Sequence, residues 1–203
     1  MDLWIATSNK GKLTEFKVLL NSLPDLIIHS TADLPVFSPP PENGATYLDN
    51  ARIKTKALKA VKPEAWVLGD DSGLEVTGLG QLPGVHSARY AGANARDSEN
   101  RAKLLKMMQI RQITDRSARF RCCLVVLTHH GEEWIFEGTM EGQIAFKESG
   151  TMGFGYDSIF IPKGETKTLA ELEPAFKNRF SHRALATQQL IQKLQSENKT
   201  FSA

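Results

Sequence analysis

Two long strand-like runs, one directly after the other, limit the fold more than anything else in this chain. Residues 119–128 alternate and then turn continuously apolar, as a strand buried on both faces does. Residues 134–146 follow across His130-Gly131 and read as the antiparallel neighbour. Before this hairpin, short apolar runs alternate with one-sided helical stripes. Residues 3–6 read as a first strand, and Leu13, Phe16, Leu20 and Leu23 then recur at helical spacing until Pro24. The proline-rich stretch 35–41 is an extended loop. A second helix is expected from about Thr46 to Lys62, with Thr46 and Asp49 at capping-box spacing. Trp66-Val67-Leu68 is a short strand running into a turn at Gly69-Asp70-Asp71-Ser72-Gly73, and residues 74–76 continue it after a kink. Residues 78–92 read as a loop and 98–108 as a third helix. After the hairpin come a glycine-rich loop over 150–162 leading into a strand at 158–161, a short helix at 169–172, and a last helix capped by Ser181 that ends near Leu194, with a frayed tail beyond Gln195. The pattern predicts an α/β fold: a mixed central sheet with flanking helices, in two lobes around a deep substrate cleft, as one domain over residues 1–203.

Charge narrows the function classes. The 25 basic and 23 acidic residues among 203 leave a net charge of +2, which gives no general electrostatic case for a nucleic-acid or membrane partner. Affinity for anions must come from local clusters. No apolar run approaches the roughly 20 residues of a membrane span. The start, Met1-Asp2-Leu3-Trp4-Ile5, is too short and too acidic for a signal peptide, so a cytoplasmic protein is expected. The two cysteines, Cys122 and Cys123, are adjacent and read as small apolar strand residues of a reduced protein.

Five stretches can carry chemistry. Thr7-Ser8-Asn9-Lys10-Gly11-Lys12 lies where a strand gives way to a helix, and a helix start with small polar side chains and lysines makes a phosphate cradle. Taken alone it is equally a plain N-cap. Asp70 and Asp71 follow an apolar strand, and hard carboxylate oxygens on a tight turn suit magnesium. Taken alone they read more readily as an acidic surface turn. Glu42 precedes the second helix, where Asn50 and Lys54 lie four apart on one face. Gly153-Phe154-Gly155-Tyr156-Asp157 offers rings for stacking on a base. Lys177, Asn178, Ser181, His182 and Arg183 offer cations at the start of the last helix, where positive charge opposes the helix dipole. Arg116, Arg119 and Arg121 form a basic stripe, which leaves open a nucleotide- or RNA-binding module without turnover. A hydrolase of another phosphate ester also stays open.

Together the segments resemble the inosine triphosphate pyrophosphatase family, also called Ham1-like or dITP/XTP pyrophosphatases. The resemblance covers Ala6 to Lys12, Tyr47 to Ala51, Asp70 to Leu74, Leu82 to Tyr90, Gly153 to Asp157, and Ser181 to Arg183, in order along nearly the whole chain. It implies a homodimer of two-lobed subunits that splits triphosphates of inosine, deoxyinosine or xanthosine into monophosphate and pyrophosphate, with magnesium. It implies that Thr7, Ser8, Asn9, Lys10, Gly11, Lys12 and Lys54 bind phosphate, and that Asp71 accepts the proton. Asp71 and Glu42 are the implied metal ligands, and Asp70, facing the other way on a strand, is read as a supporting metal ligand or a structural residue of the turn. Ser72 is implied at the substrate, with Phe154, Gly155, Tyr156, Asp157, Lys177, His182 and Arg183 around base and sugar. Ser8, Gln81, Met152 and Ser158 stand where the family usually has glycine, glycine, glycine and proline.

Overall fold

The structure, a computed structural model, describes the backbone of residues 1–200 and the side chains of residues 1–197. The strands are β1 (Asp2–Ile5), β2 (Ile27–Ser30), β3 (Trp66–Val76), β4 (Leu82–Pro83), β5 (Ser117–Leu127), β6 (Glu133–Ile144) and β7 (Phe160–Pro162). They form one mixed sheet in the order β2-β1-β3-β5-β6-β7, with β4 off this path beside β3. β1 runs parallel to β2 and to β3, whereas β4 on β3 and β7 on β6 are antiparallel. The helices are α1 (Lys10–Leu19), α2 (Tyr47–Val61), α3 (Asp97–Ile110), α4 (Pro174–Phe180) and α5 (His182–Thr200). Among the described residues no helix is long and apolar enough to cross a membrane.

The chain divides into two compact units. The first comprises Met1–Asp71, Cys122–Gly138 and Arg183–Ala203, and the second comprises Ser72–Arg121 and Thr139–His182. In the first unit, Leu3, Ile5, Leu68, Cys122, Leu124 and Val126 meet Phe16 of α1, Leu20 just after it, and Ala186 and Leu190 of α5. In the second, Leu74, Val76, Ala118, Phe120, Met140 and Phe160 meet Leu104 and Met108 of α3. The apolar stripes of α1, α3 and α5 go into these two clusters, and Leu58 of α2 packs with Ala6 and Val67 in another, the usual source of helix stability.

Several sequence expectations hold. α2 starts one residue after Thr46, and the capping box with Asp49 is complete. The hairpin forms as β5 and β6, neighbours in the sheet, with the turn at Gly131 in a left-handed conformation. Others are corrected. The acidic segment is no turn: Gly69 to Gly73 lies inside β3, an unbroken strand of 11 residues. Gly69 serves close approach instead, because a Cβ there would lie 2.1 Å from Thr55 Oγ1 and 2.5 Å from the Ala51 carbonyl oxygen of α2. Residues 169–172 are turns, and the helix in that region is α4, which begins at Pro174. A proline is preorganised for the first position of a helix, where its missing N–H costs nothing. β2 was not anticipated, and α5 runs on to Thr200 rather than fraying after Gln195, leaving the end of the expected tail outside the described residues.

Candidate functional site

β3 carries both acidic residues, and a strand sends neighbouring side chains to opposite faces. Asp70 and Asp71 are both buried, at 1% and 4% exposure, but among different partners. Asp70 accepts from Arg183 Nε at 2.8 Å on one oxygen and from Lys12 Nζ at 3.3 Å on the other. The Cys122 thiol also donates to it, at 3.7 Å. Arg183 Nη1 donates in turn to Glu15 of α1. Asp71 accepts from Lys54 Nζ at 2.9 Å and from Asn50 Nδ2 at 3.2 Å. The same ammonium lies 3.2 Å from Glu42. Asn50 and Lys54 share a face of α2, as their spacing requires, and Asn50 Oδ1 also accepts from the Gly44 N–H of the preceding loop.

These surroundings separate the two carboxylates electrostatically. Burial works to raise the Asp70 pKa, but Arg183, Lys12 and Lys54 outweigh it and hold the group well below the ordinary carboxylate range. For Asp71 burial prevails: its pKa is raised, with Glu42 adding to the rise and Lys54 and Lys12 pulling back. Burial also opposes charge on Lys54, yet Asp71, Glu42 and Asp70 keep that ammonium above its ordinary value.

The donor sets decide which group can hold a cation. Among the described residues, no three His, Cys, Asp or Glu side chains are placed to hold a metal ion. Asp70, Arg183, Glu15 and Lys12 match two anions with two cations, and both oxygens of Asp70 are already in use. Asp71 and Glu42 bring carboxylate oxygens to the same ammonium, Lys54, at 2.9 and 3.2 Å. Magnesium takes one or two carboxylates and fills its octahedron with water and phosphate oxygens. The Asp71 group fits that demand in charge and ligand type, and the Asp70 group does not.

The segment before α1 is built as a helix start. Asn9 is the N-cap, with its side-chain oxygen accepting from Lys12 N–H at 3.0 Å. Thr7 Oγ1 accepts from the Asn9 N–H at 3.1 Å, and Thr7 O accepts from Thr31 Oγ1. Ser8 and Lys10 stay exposed, Gly11 is half-buried, and Lys12 turns to Asp70.

In the second unit, Phe154 stands between Gly153 and Gly155, both with positive φ. A Cβ at Gly153 would lie 2.0 Å from an Asp157 carboxylate oxygen, so glycine is required there. That oxygen accepts from the Phe154 N–H at 2.9 Å and from Lys177 Nζ of α4. Lys177 Nζ sits 4.4 Å from the centre of the Phe154 ring. His182 is buried with its ring stacked on Phe120 at 4.8 Å. Tyr156, expected beside a base, is instead buried in the core, where its hydroxyl donates to Ser87 O at 2.8 Å. Ser72 follows Asp71 on β3 and opens the second unit.

Arg183 differs most from its expected place. Its guanidinium, expected at a base carbonyl, holds Asp70 and Glu15 and is 1% exposed. Glu15 went unnoticed in the sequence, although it lies three residues after Lys12 on one helical face. The arginine stripe on β5 is also engaged within its own unit. Arg119 Nε donates to Glu75 at 2.7 Å, Arg121 lies 4.0 Å from Glu75, and Arg116 donates to the Ile144 and Ala145 carbonyls.

Known proteins similar to this chain form one family. A sequence model of the Ham1 family matches residues 3–193. The chain is 57% identical over 198 residues to the dITP/XTP pyrophosphatase of Bdellovibrio bacteriovorus, covering 98% of this chain and 100% of that protein. It is 42% identical to the dITP/XTP pyrophosphatase of Chlamydia trachomatis over 187 residues, 92% of this chain and 89% of that one. Its fold is similar to the Staphylococcus aureus Ham1 protein, with a TM-score of 0.84, 39% identity, and coverage of 97% and 100%. A HAM1 protein from Coxiella burnetii superposes with a TM-score of 0.85 at 37% identity, over 97% and 99% of the two chains.

Proposed function

The chain belongs to the Ham1 family, and we propose that it hydrolyses triphosphates of non-standard purines to the monophosphate and pyrophosphate, cleansing the nucleotide pool of inosine, deoxyinosine and xanthosine forms. The observation that carries this reading is the meeting of two carboxylates, Asp71 and Glu42, at the Lys54 ammonium, with Asp71 buried. It supports a divalent cation held by carboxylate oxygens beside that lysine.

In this reading Asp71 and Glu42 hold magnesium, and Asp70 is a support rather than a ligand. Bound there, magnesium supplies positive charge against the phosphate oxygens. Lys10, Lys12 and Lys54 add cations, and the start of α1 over Thr7 to Gly11 presents backbone N–H groups to the phosphates. Phosphoryl transfer asks mainly for such positioning and charge stabilisation. Asp71 takes the proton of the attacking water. Arg183 and Glu15 keep Asp70 charged and fixed, so that β3 presents Asp71 in one orientation.

Base selection falls to the second unit. Phe154 stacks on the purine, and Lys177 and His182 donate to the 6-oxo group. Asp157 and Gly155 shape the loop, Tyr156 anchors it, and Ser72 contributes from β3. A donor aimed at a carbonyl oxygen meets the amino group of adenine badly and is left unpaired, which rejects the standard nucleotide. The resemblance also supports a homodimer at work in the cytoplasm, with no nucleic-acid or membrane partner.

Pyrophosphate release from inosine, xanthosine and adenosine triphosphates, each with and without magnesium, tests the proposal. Magnesium-dependent release from the first two is expected. Equal release from adenosine triphosphate, or release without a divalent cation, overturns it.

A further inference from the structure

The Phe154 loop has a second support whose purpose is not explained by the helix that provides it. Asp97 and Arg101 lie one turn apart on α3 and so share a face. Asp97 Oδ2 accepts from the Gly155 N–H at 2.7 Å, and Arg101 Nη1 donates to the Gly155 carbonyl oxygen at 2.7 Å. One residue of the loop is therefore held at both its polar groups. Arg101 is itself steadied by Glu148, which accepts from its Nε at 2.8 Å and from Ser158 Oγ at 3.1 Å. Asp97 is not needed to start its own helix. The capping contact to the Arg96 N–H comes from Glu99, at 2.7 Å.

The need for the clamp follows from the backbone. Gly155 has φ +60, with no atom within 4 Å of where a Cβ would be. Glycine loses the most conformational freedom on ordering, so an open glycine beside Phe154 leaves the ring poorly aimed unless its peptide groups are tied down. On the other side, the Phe154 N–H itself is held by Asp157 at 2.9 Å. The ring thus hangs between one pin at Asp157 and another at α3.

We infer that Asp97 and Arg101 are positioning residues for base selection: they clamp Gly155 so that Phe154 is held in stacking position before substrate arrives. This rests on the reading of Phe154 as the base-stacking ring. Ordering the loop in advance saves its entropy on binding, so the clamp acts on substrate affinity and on the choice between purines. The chemical step, assigned to Asp71, does not depend on it.

The experiment compares Phe154→Ala, Arg101→Ala, Asp97→Ala and Asp97→Asn in steady-state assays with inosine and adenosine triphosphates, along with amide hydrogen exchange of the loop. Losing a charge-assisted hydrogen bond predicts a KM for inosine triphosphate about tenfold higher in Arg101→Ala and Asp97→Ala, with kcat within about twofold of the parent. Loop amides near Gly155 exchange faster, and preference for inosine over adenosine falls. Asp97→Asn keeps an acceptor oxygen and restores KM to within about threefold of the parent. Adding Arg101→Ala to Phe154→Ala changes KM little further, because both act through the ring. Normal KM and loop exchange in Arg101→Ala and Asp97→Ala, while Phe154→Ala is impaired, overturns the clamp alone. Unchanged kinetics in Phe154→Ala overturns the reading of the ring itself. A fall in kcat with KM unchanged makes the contacts merely structural and also overturns the clamp.

Discussion

The two faces of β3 in the first unit make opposite use of the same amino acid. On one face Asp70, Arg183, Glu15 and Lys12 pair two negative with two positive groups. On the other, Asp71 and Glu42 share Lys54. The first arrangement leaves nothing for a ligand to add. The second brings two carboxylates to one lysine, and its Asp71 is raised in pKa where its neighbour Asp70 is lowered. One peptide bond thus separates two carboxylates of different surroundings, Asp70 among residues of α1 and α5 and Asp71 among those of α2 and the loop before it.

The largest expected effect tests the reactive face. Asp71→Asn should lower pyrophosphate release by about a thousandfold, the scale of a lost general base, with a thermal midpoint close to the parent's. Turnover within tenfold of the parent would place the base elsewhere. On the other face, Arg183→Met strands Asp70 as a buried charge and should cost about 3–5 kcal/mol in urea unfolding. A loss below about 1 kcal/mol would mean that Asp70 does not depend on it.

Gly69→Ala forces α2 away from β3 and should cost about 1–3 kcal/mol, an overpacking penalty. Turnover should fall as well, because Lys54 and Asn50 ride on that helix. A stability loss with normal turnover would break the link between α2 spacing and Asp71. The smallest effect is on the pH dependence of stability. The Asp70 pKa is lowered on folding, so its stabilisation is complete above the ordinary value of 3.8 and is lost as pH falls through the folded pKa. The Asp71 pKa is raised, so its contribution has the opposite sign: stability drops as pH rises from 3.8 through the folded value. Asp70→Asn should therefore flatten the acid limb of urea stability plotted against pH, and Asp71→Asn should steepen it. The same change in both variants would remove the contrast between the faces.

What the sequence reveals of this arrangement divides by range. The α2 capping box, the face shared by Asn50 and Lys54, and the β5–β6 hairpin depend on residues a few positions apart, and local periodicity reports them. The Asp70-Asp71 segment misleads because glycine permits a turn and also permits two elements to approach closely. Which use applies at Gly69 depends on Ala51 and Thr55 of a separate helix. Arg183 misleads for a related reason. A charged residue near a helix start looks available to a ligand, but its partners Asp70 and Glu15 lie 113 and 168 positions away. Tyr156 likewise looks like a stacking ring until its hydrogen bond to Ser87, 69 residues off, places it in the core. The missed β2 has only four residues, too few for a pattern to stand out.

The closed face also contains a thiol. Cys122 is buried against Asp70, and burial, followed by that carboxylate, holds its pKa well above the ordinary 9.0. Only thiolate reacts at a useful rate with alkylating reagents, so native Cys122 is inert on two counts, access and protonation. Alkylation at this position therefore requires the first unit to open. The rate of that labelling is a clock for the unit's opening, readable by mass spectrometry on the unmodified chain, without a fluorophore or an engineered probe.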